Sequence, residues 1–184
     1  GRVGKDLFGE QLVNNLCCAG VNIDHVQLDD EEGTGMGCVF TDGEANNWIV
    51  VIPRANLNWR NDDLKVVEAL IQKADLIVLQ LEIPIAVVSS VISSAYKHQK
   101  FVILNPSPAQ NLPIDLLNKV DVFLPNETEA EFYSEIKIKN LMDAKEAAKI
   151  LRCKGPQRVI ITLGIFDPGY KWSRDKYLPP SFSV

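Results

Sequence analysis

Short apolar runs alternate along this chain with longer segments in which apolar residues recur at helical spacing. The runs that resemble buried strands are Leu76 to Leu81, Phe101 to Leu104, Val120 to Leu124 and Arg158 to Ile161. The longest helical patterns between and after them cover residues 61–73, 84–97 and 141–152. Nearly continuous apolar strands separated by helices are typical of a parallel sheet that is covered on both faces. The pattern therefore predicts an α/β fold with a doubly wound, mostly parallel sheet flanked by helices.

Each predicted strand is followed by a polar residue or a glycine. The residues in question are Glu82, Asn105, Asn126 and the Thr162-Leu163-Gly164 turn. The carboxyl ends of parallel strands meet at one edge of the sheet, where α/β proteins bind their ligands. We therefore expect a binding site at this edge.

The stretch V-D-V-F-L-P-N-E-T-E-A-E, from Val120 to Glu131, predicts a strand, a tight turn and a helix. A helix N-terminus at the end of a strand favours anions, so Asn126 and Glu129 are expected to face a ligand. A simpler interpretation is that Asn126 is only the N-cap of the helix and Glu129 its partner in a capping box. The stretch by itself favours the simpler interpretation, and both stay open here.

A different pattern occupies the N-terminal third of the chain. Met36 to Thr41 and Trp48 to Ile52 are β-prone runs separated by Asp42-Gly43 and polar residues, which predicts a hairpin. Before them, Gly1 to Gly4 resembles the exit of a strand, and Asp6 to Cys18 has the spacing of a helix. The hairpin could be no more than the edge of a sheet.

Composition limits the possible functions. The chain has 184 residues, 46% of them hydrophobic and 23% charged, with a net charge of −5. An acidic balance argues against a general binder of nucleic acid or of anionic membranes, although backbone amides and a metal could still hold ATP. No run approaches the ~20 apolar residues of a membrane-spanning helix, and no secretory signal is evident. These features predict a cytoplasmic protein.

Six motifs occur in an order that is specific in combination. They are G-R-V-G-K-D-L-F-G from Gly1, G-T-G-M-G from Gly33, L-Q-L-E-I-P from Leu79, L-N-P-S-P-A from Leu104, P-N-E-T-E-A-E from Pro125 and I-T-L-G from Ile161. In this order they closely resemble the ribokinases, within the phosphofructokinase-B-like carbohydrate kinases. The resemblance covers residues 1–164, which we expect to form a partial ribokinase-like α/β domain with a small β-hairpin lid at about 33–56.

The resemblance implies a sugar site and a use for the hairpin. Glu82 would hydrogen-bond a sugar hydroxyl, although a solvated loop acid is the simpler explanation for a single glutamate. Gly37 matches a family position close to the sugar. The hairpin would cover the sugar and form a homodimer contact, with Trp48 and Ile52 facing the lid interior or the partner.

The resemblance also implies a nucleotide site. Asn126 would touch the phosphates of ATP, and Glu129 would hold Mg²⁺ through water. Thr162, Leu163 and Gly164 match the turn beside the phosphates, where a hydroxyl and a residue without a side chain allow close approach. For the complete enzyme the resemblance implies activation by a monovalent cation such as K⁺.

The chain departs from the family pattern at several points. Arg54 stands where glycine is usual after the lid, and the family's N-terminal sugar-binding motifs have no counterpart. Residues 165–184 diverge and are expected to form an irregular tail. The family's G-A-G-D motif, with its catalytic aspartate and anion hole, is absent, and the setting of Asp167 does not match it. We therefore assign no catalytic residue and expect a chain truncated at both ends.

Two functions of different class remain open. The first is ATP-dependent phosphorylation of D-ribose to D-ribose 5-phosphate by a ribokinase-type enzyme. The second is a catalytically inactive isoform or fragment that at most binds nucleotide or dimerises. More remote alternatives are another sugar or nucleoside kinase of the same family, and an α/β domain whose strand-end residues are only helix caps.

Overall fold

The computed structural model describes residues 1–41, 47–163 and 181–183. The chain divides into two compact units, the first formed by residues 1–63 and 82–84 and the second by 64–81 and 85–184. The strands are β1 Arg2–Gly4, β2 Gln27–Asp29, β3 Met36–Thr41, β4 Asn47–Ile52, β5 Leu76–Leu79, β6 Phe101–Leu104, β7 Val122–Phe123, β8 Arg158–Thr162 and β9 Ser181–Ser183. The helices are α1 Leu7–Cys18, α2 Asn61–Lys73, α3 Ile85–Lys97, α4 Glu127–Ser134 and α5 Leu141–Cys153. Two 3₁₀ segments cover Arg54–Leu57 and Ile114–Lys119.

The second unit contains a sheet with the strand order β5-β6-β7-β8-β9. β5 to β8 pair in parallel, whereas β9 pairs with β8 in the antiparallel direction. The carboxyl ends of β5 to β8 therefore lie at one edge of the sheet, as the sequence predicts. The predicted α/β fold with a mostly parallel sheet and flanking helices is confirmed.

Apolar side chains from the sheet and its helices form the core of the second unit. Phe123, Val159 and Ile161 are fully buried on the central strands. α3 and α5 each bury one face, made of Val87, Val88, Val91, Ile92 and Ala95 in α3 and of Ala144, Ala147, Ala148 and Leu151 in α5. Burying a Val, Leu or Ile side chain contributes about 1.5 to 3 kcal/mol to the stability of the folded state. Apolar burial is therefore the main source of stability in the second unit.

Some element boundaries differ from the sequence expectation. β5 ends at Leu79 rather than Leu81, because the Leu81 amide donates to the Ser107 carbonyl in a loop instead of continuing a ladder. β7 has only two residues. α2 begins with Asn61 as its first helical residue, and the Asp63 carboxylate accepts from the Arg60 amide in front of it.

The first unit is built on a parallel pair of strands, β1 and β2. The Arg2 side chain is buried and donates to the carboxylates of Asp29 and Asp63. Asp29 also accepts from the amides of Glu31 and Glu32. Both the Arg2 guanidinium and the Asp29 carboxylate are therefore hydrogen-bonded, which a buried ion pair requires.

A second polar cluster of the first unit is centred on Asp6, the N-cap of α1. Its carboxylate accepts from the Gly9 amide at 2.8 Å and from the Thr34 amide and hydroxyl, both at 2.7 Å. The Thr34 hydroxyl in turn accepts from the Gly4 amide. A Cβ at Gly4 or Gly9 would collide with neighbouring backbone, so glycine is required for this close approach. The three contacts lower the pKa of Asp6 to about 2, the Thr34 hydroxyl contributing most.

The predicted hairpin forms, with β3 and β4 antiparallel and Met36 opposite Ile52. Residues 42–46 of the predicted turn lie outside the described residues. After the hairpin, Arg54 has a φ of 42°, in the left-handed region that favours glycine. An arginine in this conformation therefore places backbone strain beside the hairpin.

The predicted irregular tail, 165–184, is described only at Ser181–Ser183, which form β9. Residues 164–180 and 184 lie outside the described residues.

Candidate functional site

The turn between β7 and α4 carries the first group of candidate residues. The Asn126 Oδ1 atom accepts from the Glu129 amide at 2.8 Å, and Glu129 Oε2 accepts from the Asn126 amide at 2.8 Å. These reciprocal bonds form a capping box, which satisfies two donors of the first turn of α4. The capping interpretation of Asn126 and Glu129 is therefore confirmed, and their contact with a ligand stays a prediction.

Thr162 lies beside this turn at the end of β8. Its amide donates to the Pro125 carbonyl at 3.0 Å, and Asn126 and Thr162 form an isolated parallel bridge. Both residues are exposed, whereas the next residue, Leu163, is buried. The fold thus brings Asn126 and Thr162 together beside the N-terminus of α4. Gly164, the last residue predicted for this site, lies outside the described residues.

Glu129 is the predicted magnesium residue, and it is only 4% exposed. Within the described part of the chain, no three or more His, Cys, Asp or Glu side chains come together in a metal-binding group. Magnesium, however, usually keeps several waters and takes only one or two protein carboxylates together with substrate phosphates. The Glu129 carboxylate is compatible with that mode.

Two residues that the sequence pattern did not indicate are Tyr133, in α4, and Gln110, which is hydrogen-bonded to it. The Tyr133 hydroxyl donates to the Gln110 carbonyl at 2.7 Å, and the Gln110 side chain donates to the Leu81 carbonyl at 2.7 Å. Burial raises the pKa of Tyr133, and the negative charge of Glu129 adds to this effect. Tyr133 follows Glu129 by one helical turn, which was the available sequence signal.

The predicted sugar residues both belong to the first unit. Glu82 is exposed in a bend that follows the Leu81 peptide. Gly37 lies in β3 opposite Val51, and a Cβ added there would meet nothing within 4 Å. Internal packing therefore does not require glycine at position 37. No hydrogen bond joins Glu82 to Gly37 among the residues that are described, so their common role in sugar binding stays a prediction.

The hairpin and the helices also bear on possible partners. Trp48 is 63% exposed and Ile52 is exposed as well, in a hairpin whose apolar residues are open to solvent along most of both strands. Across the described ranges, no helix combines the length and the apolar character that a membrane span requires.

Comparison with known proteins places these observations in a family. The profile of the pfkB family carbohydrate kinases matches residues 1–165. The chain is 33% identical to ribokinase of Haemophilus influenzae over 162 residues, which is 88% of this chain and 53% of that protein. It is 32% identical to deoxyribokinase of Salmonella typhi over 186 residues, covering 100% of this chain and 60% of that protein.

A solved structure shows the same relationship. Ribokinase of Arabidopsis thaliana, complexed with ribose and ATP, matches with a TM-score of 0.77 and 27% identity. The match covers 89% of this chain and 54% of the plant protein. The chain therefore spans about half the length of the proteins that it matches.

Proposed function

The chain belongs to the pfkB family of carbohydrate kinases, and we propose that it serves the ATP-dependent phosphorylation of D-ribose to D-ribose 5-phosphate. Its relatives include both a ribokinase and a deoxyribokinase, each of which it covers only in part. The L-Q-L-E and P-N-E-T-E motifs resemble those of ribokinases and favour ribose over adenosine or fructose.

The observation that carries this proposal is the arrangement of Asn126 and Thr162 at adjacent strand ends beside the N-terminus of α4. Helix N-termini stabilise negative charge through their free amides and the helix dipole. We assign the ATP phosphates to this place, with the Asn126 amide group, the Thr162 hydroxyl and the turn of Leu163 and Gly164 around them.

Glu129 is the residue that would hold Mg²⁺ through water. When bound with ATP, the ion neutralises charge on the phosphates, and phosphoryl transfer depends on such stabilisation together with positioning. The capping box fixes the Glu129 side chain through its Oε2 atom, so the carboxylate needs little reorganisation when the nucleotide binds. K⁺ activation would belong to the complete enzyme.

On the sugar side, the exposed Glu82 carboxylate is free to accept a hydrogen bond from a ribose hydroxyl. A site built to bond a hydroxyl strongly rejects analogues that lack it. Comparing D-ribose with 2-deoxy-D-ribose therefore tests which of the two relatives is the better guide. We assign Gly37 to the hairpin surface that approaches the sugar, because its open side leaves room for a ligand.

Ligand-dependent thermal unfolding tests the proposal. A ligand present at 100 times its dissociation constant adds about 2.7 kcal/mol to the stability of a folded protein that binds it, which is several degrees for a domain of this size. We expect Mg-ATP to raise the melting temperature, ribose to raise it further, and ribose to be required for ADP release. Mg²⁺ alone serves as the control. A melt that Mg-ATP leaves unchanged would contradict the nucleotide site.

A second candidate function is a non-catalytic module that binds nucleotide or dimerises. It is favoured by the apolar side chains that the hairpin exposes to solvent. ADP release that depends on ribose would rule it out. Binding of Mg-ATP without any turnover would favour it over the enzyme.

We further propose that the hairpin forms a homodimer contact and that the protein acts in the cytoplasm. Apolar patches of this kind mark interaction sites when they are contiguous. Replacing Ile49 by Asp should convert a dimer to a monomer in sedimentation velocity. Replacing the exposed Met142 of α5 by Asp is the control and should leave the sedimentation coefficient unchanged.

A further inference from the structure

A loop of the second unit is held at the peptide group of Leu81 from two directions. The Leu81 amide donates to the Ser107 carbonyl at 2.9 Å, and the Leu81 carbonyl accepts from Gln110 Nε2 at 2.7 Å. Leu81 itself is buried. Both backbone polar groups of Leu81, two residues after the end of β5, are thus bonded to the same loop, and the next residue in the chain is Glu82.

Gln110 is fixed in turn by one phenol. The Tyr133 hydroxyl donates to the backbone carbonyl of Gln110 at 2.7 Å and accepts from the backbone amide of Gln110 at 3.3 Å. The ring is only 8% exposed and packs edge to face against Phe123, with ring centroids 5.3 Å apart. The Tyr133 hydroxyl therefore pairs with both backbone polar groups of Gln110, as a neighbouring strand would. The position of the Tyr133 ring is fixed by its packing in the core.

The same tyrosine belongs to α4, one turn after Glu129. A continuous series of hydrogen bonds then runs from the Leu81 peptide through Gln110 to the helix that carries the predicted magnesium residue. These hydrogen bonds are partly buried, so breaking one of them leaves a donor or an acceptor without its partner. Such a connection determines where the ends of two elements lie, which is the requirement for holding reacting groups in place.

We propose that Gln110 and Tyr133 are positioning residues for sugar phosphorylation. Gln110 fixes the peptide group that joins Leu81 to Glu82, and Tyr133 fixes Gln110 to α4. The expected effect on ligand binding rests on the proposed function, whereas the hydrogen bonds are observed independently of it. Neither residue is assigned a contact with substrate.

The test uses Gln110→Met, which keeps the length of the side chain but removes its donor, and Tyr133→Phe, which removes only the hydroxyl. Dissociation constants for ribose and Mg-ATP are measured by calorimetry on the whole chain. We expect Gln110→Met to weaken ribose binding about tenfold, because small displacements are costly in positioned sites, with Mg-ATP binding unchanged within about twofold. Tyr133→Phe should weaken both ligands. Gln157→Met and Tyr96→Phe, at exposed positions, are the matched controls and should change neither.

A purely structural role would give a different result. It would lower the melting temperature and the number of competent sites per chain, but not the affinity of the sites that remain. Dissociation constants equal to those of the wild type in both variants would overturn the proposal.

Failure of the proposed function can be recognised separately. If the unaltered chain binds neither ribose nor Mg-ATP, the proposed function fails, and hydrogen exchange at the Leu81 amide then decides the inference. Exchange at least about tenfold faster in both variants than in the two controls would support the positioning of Leu81. Unchanged exchange would overturn it.

Discussion

The two units of this chain are stabilised by different chemistry. The second unit has a continuous apolar core in which Phe123, Val159 and Ile161 are fully buried. The first unit instead buries Arg2 against Asp29 and collects backbone donors around Asp6. It also leaves apolar side chains of its hairpin and of α1 exposed to solvent.

This difference shows why similar sequence patterns have different meanings. The run W-I-V-V-I in β4 is more apolar than R-V-I-I-T in β8. β8 lies between β7 and β9 and is contacted by α4 and α5, whereas in the described part of the chain β4 pairs with β3 in a two-stranded sheet. An apolar run thus indicates burial, but it does not say whether the covering surface comes from the same chain.

The largest effect is expected from matched truncations of phenylalanine in the two units. Phe123→Ala should destabilise the protein by about 3 to 5 kcal/mol, since it opens a cavity in a fully buried site. Phe40→Ala, at a hairpin position that is 56% exposed, should change stability by less than about 0.5 kcal/mol in the monomer. Urea unfolding followed by circular dichroism measures both. Equal losses would show that the hairpin is as well packed as the sheet.

The next effect concerns the ion pairs of the first unit. Arg2→Met keeps most of the volume but leaves the carboxylates of Asp29 and Asp63 without their shared cation. We expect a loss of about 2 to 3 kcal/mol, at or below the lower end of the range for breaking a buried pair. The same urea titration serves as the measurement, with Lys5→Met, in an exposed ion pair, as the control. A loss of stability no greater than that of the control would mean that water solvates the Asp29 and Asp63 carboxylates as well as Arg2 does.

Much of the second unit could be predicted from the sequence because its signals are local. Apolar periodicity marked α3 and α5 and their buried faces, and the Pro125-Asn126 turn marked the start of α4. The capping box was predictable because its two partners are three residues apart. The strand-end positions of Asn126 and Thr162 indicated a binding site, whereas the prediction that this site binds the phosphates of ATP rested on family resemblance.

Contacts between distant residues are what the sequence did not reveal. Tyr133 and Gln110 are 23 residues apart, and no periodicity links them. Arg2 and Asp63 are 61 residues apart, and Arg2 lies in a segment that resembled only the end of a strand. Such pairs depend on how the chain returns on itself, which local patterns do not determine.

A smaller effect should separate the two roles of Asn126. Asn126→Ala removes the cap and should cost about 1 kcal/mol, while also weakening Mg-ATP. Asn126→Ser retains a side-chain oxygen that can cap the helix, so stability should stay within a few tenths of a kcal/mol of the wild type. If the amide group also contacts phosphate, the serine variant should still bind Mg-ATP more weakly in calorimetry. Unchanged affinity in the serine variant would leave Asn126 as a cap alone.

The smallest effect is a pH dependence in the first unit. The folded-state pKa of Asp6 is about 2, below its ordinary value of 3.8, because Thr34 and Gly9 donate to the charged form. The stabilisation is therefore complete above about pH 4 and is lost as the pH falls through 2. Asp6→Asn cannot titrate, so the stability difference between wild type and variant should shrink over this window. Water reaches the half-buried carboxylate, which keeps the effect small.

Urea midpoints of both proteins at several pH values between about 2 and 6 measure this difference, and acid effects on other carboxylates cancel in it. Asp24→Asn, in an exposed loop, is the control variant, and the change with pH should be larger for Asp6→Asn than for it. A difference between wild type and Asp6→Asn that does not change with pH would mean that the Thr34 contacts bind both forms of Asp6 equally. In that case the contribution of Asp6 to stability would depend on hydrogen-bond geometry rather than on its charge. Protonation of Asp6 at low pH would then not destabilise the first unit relative to the apolar second unit.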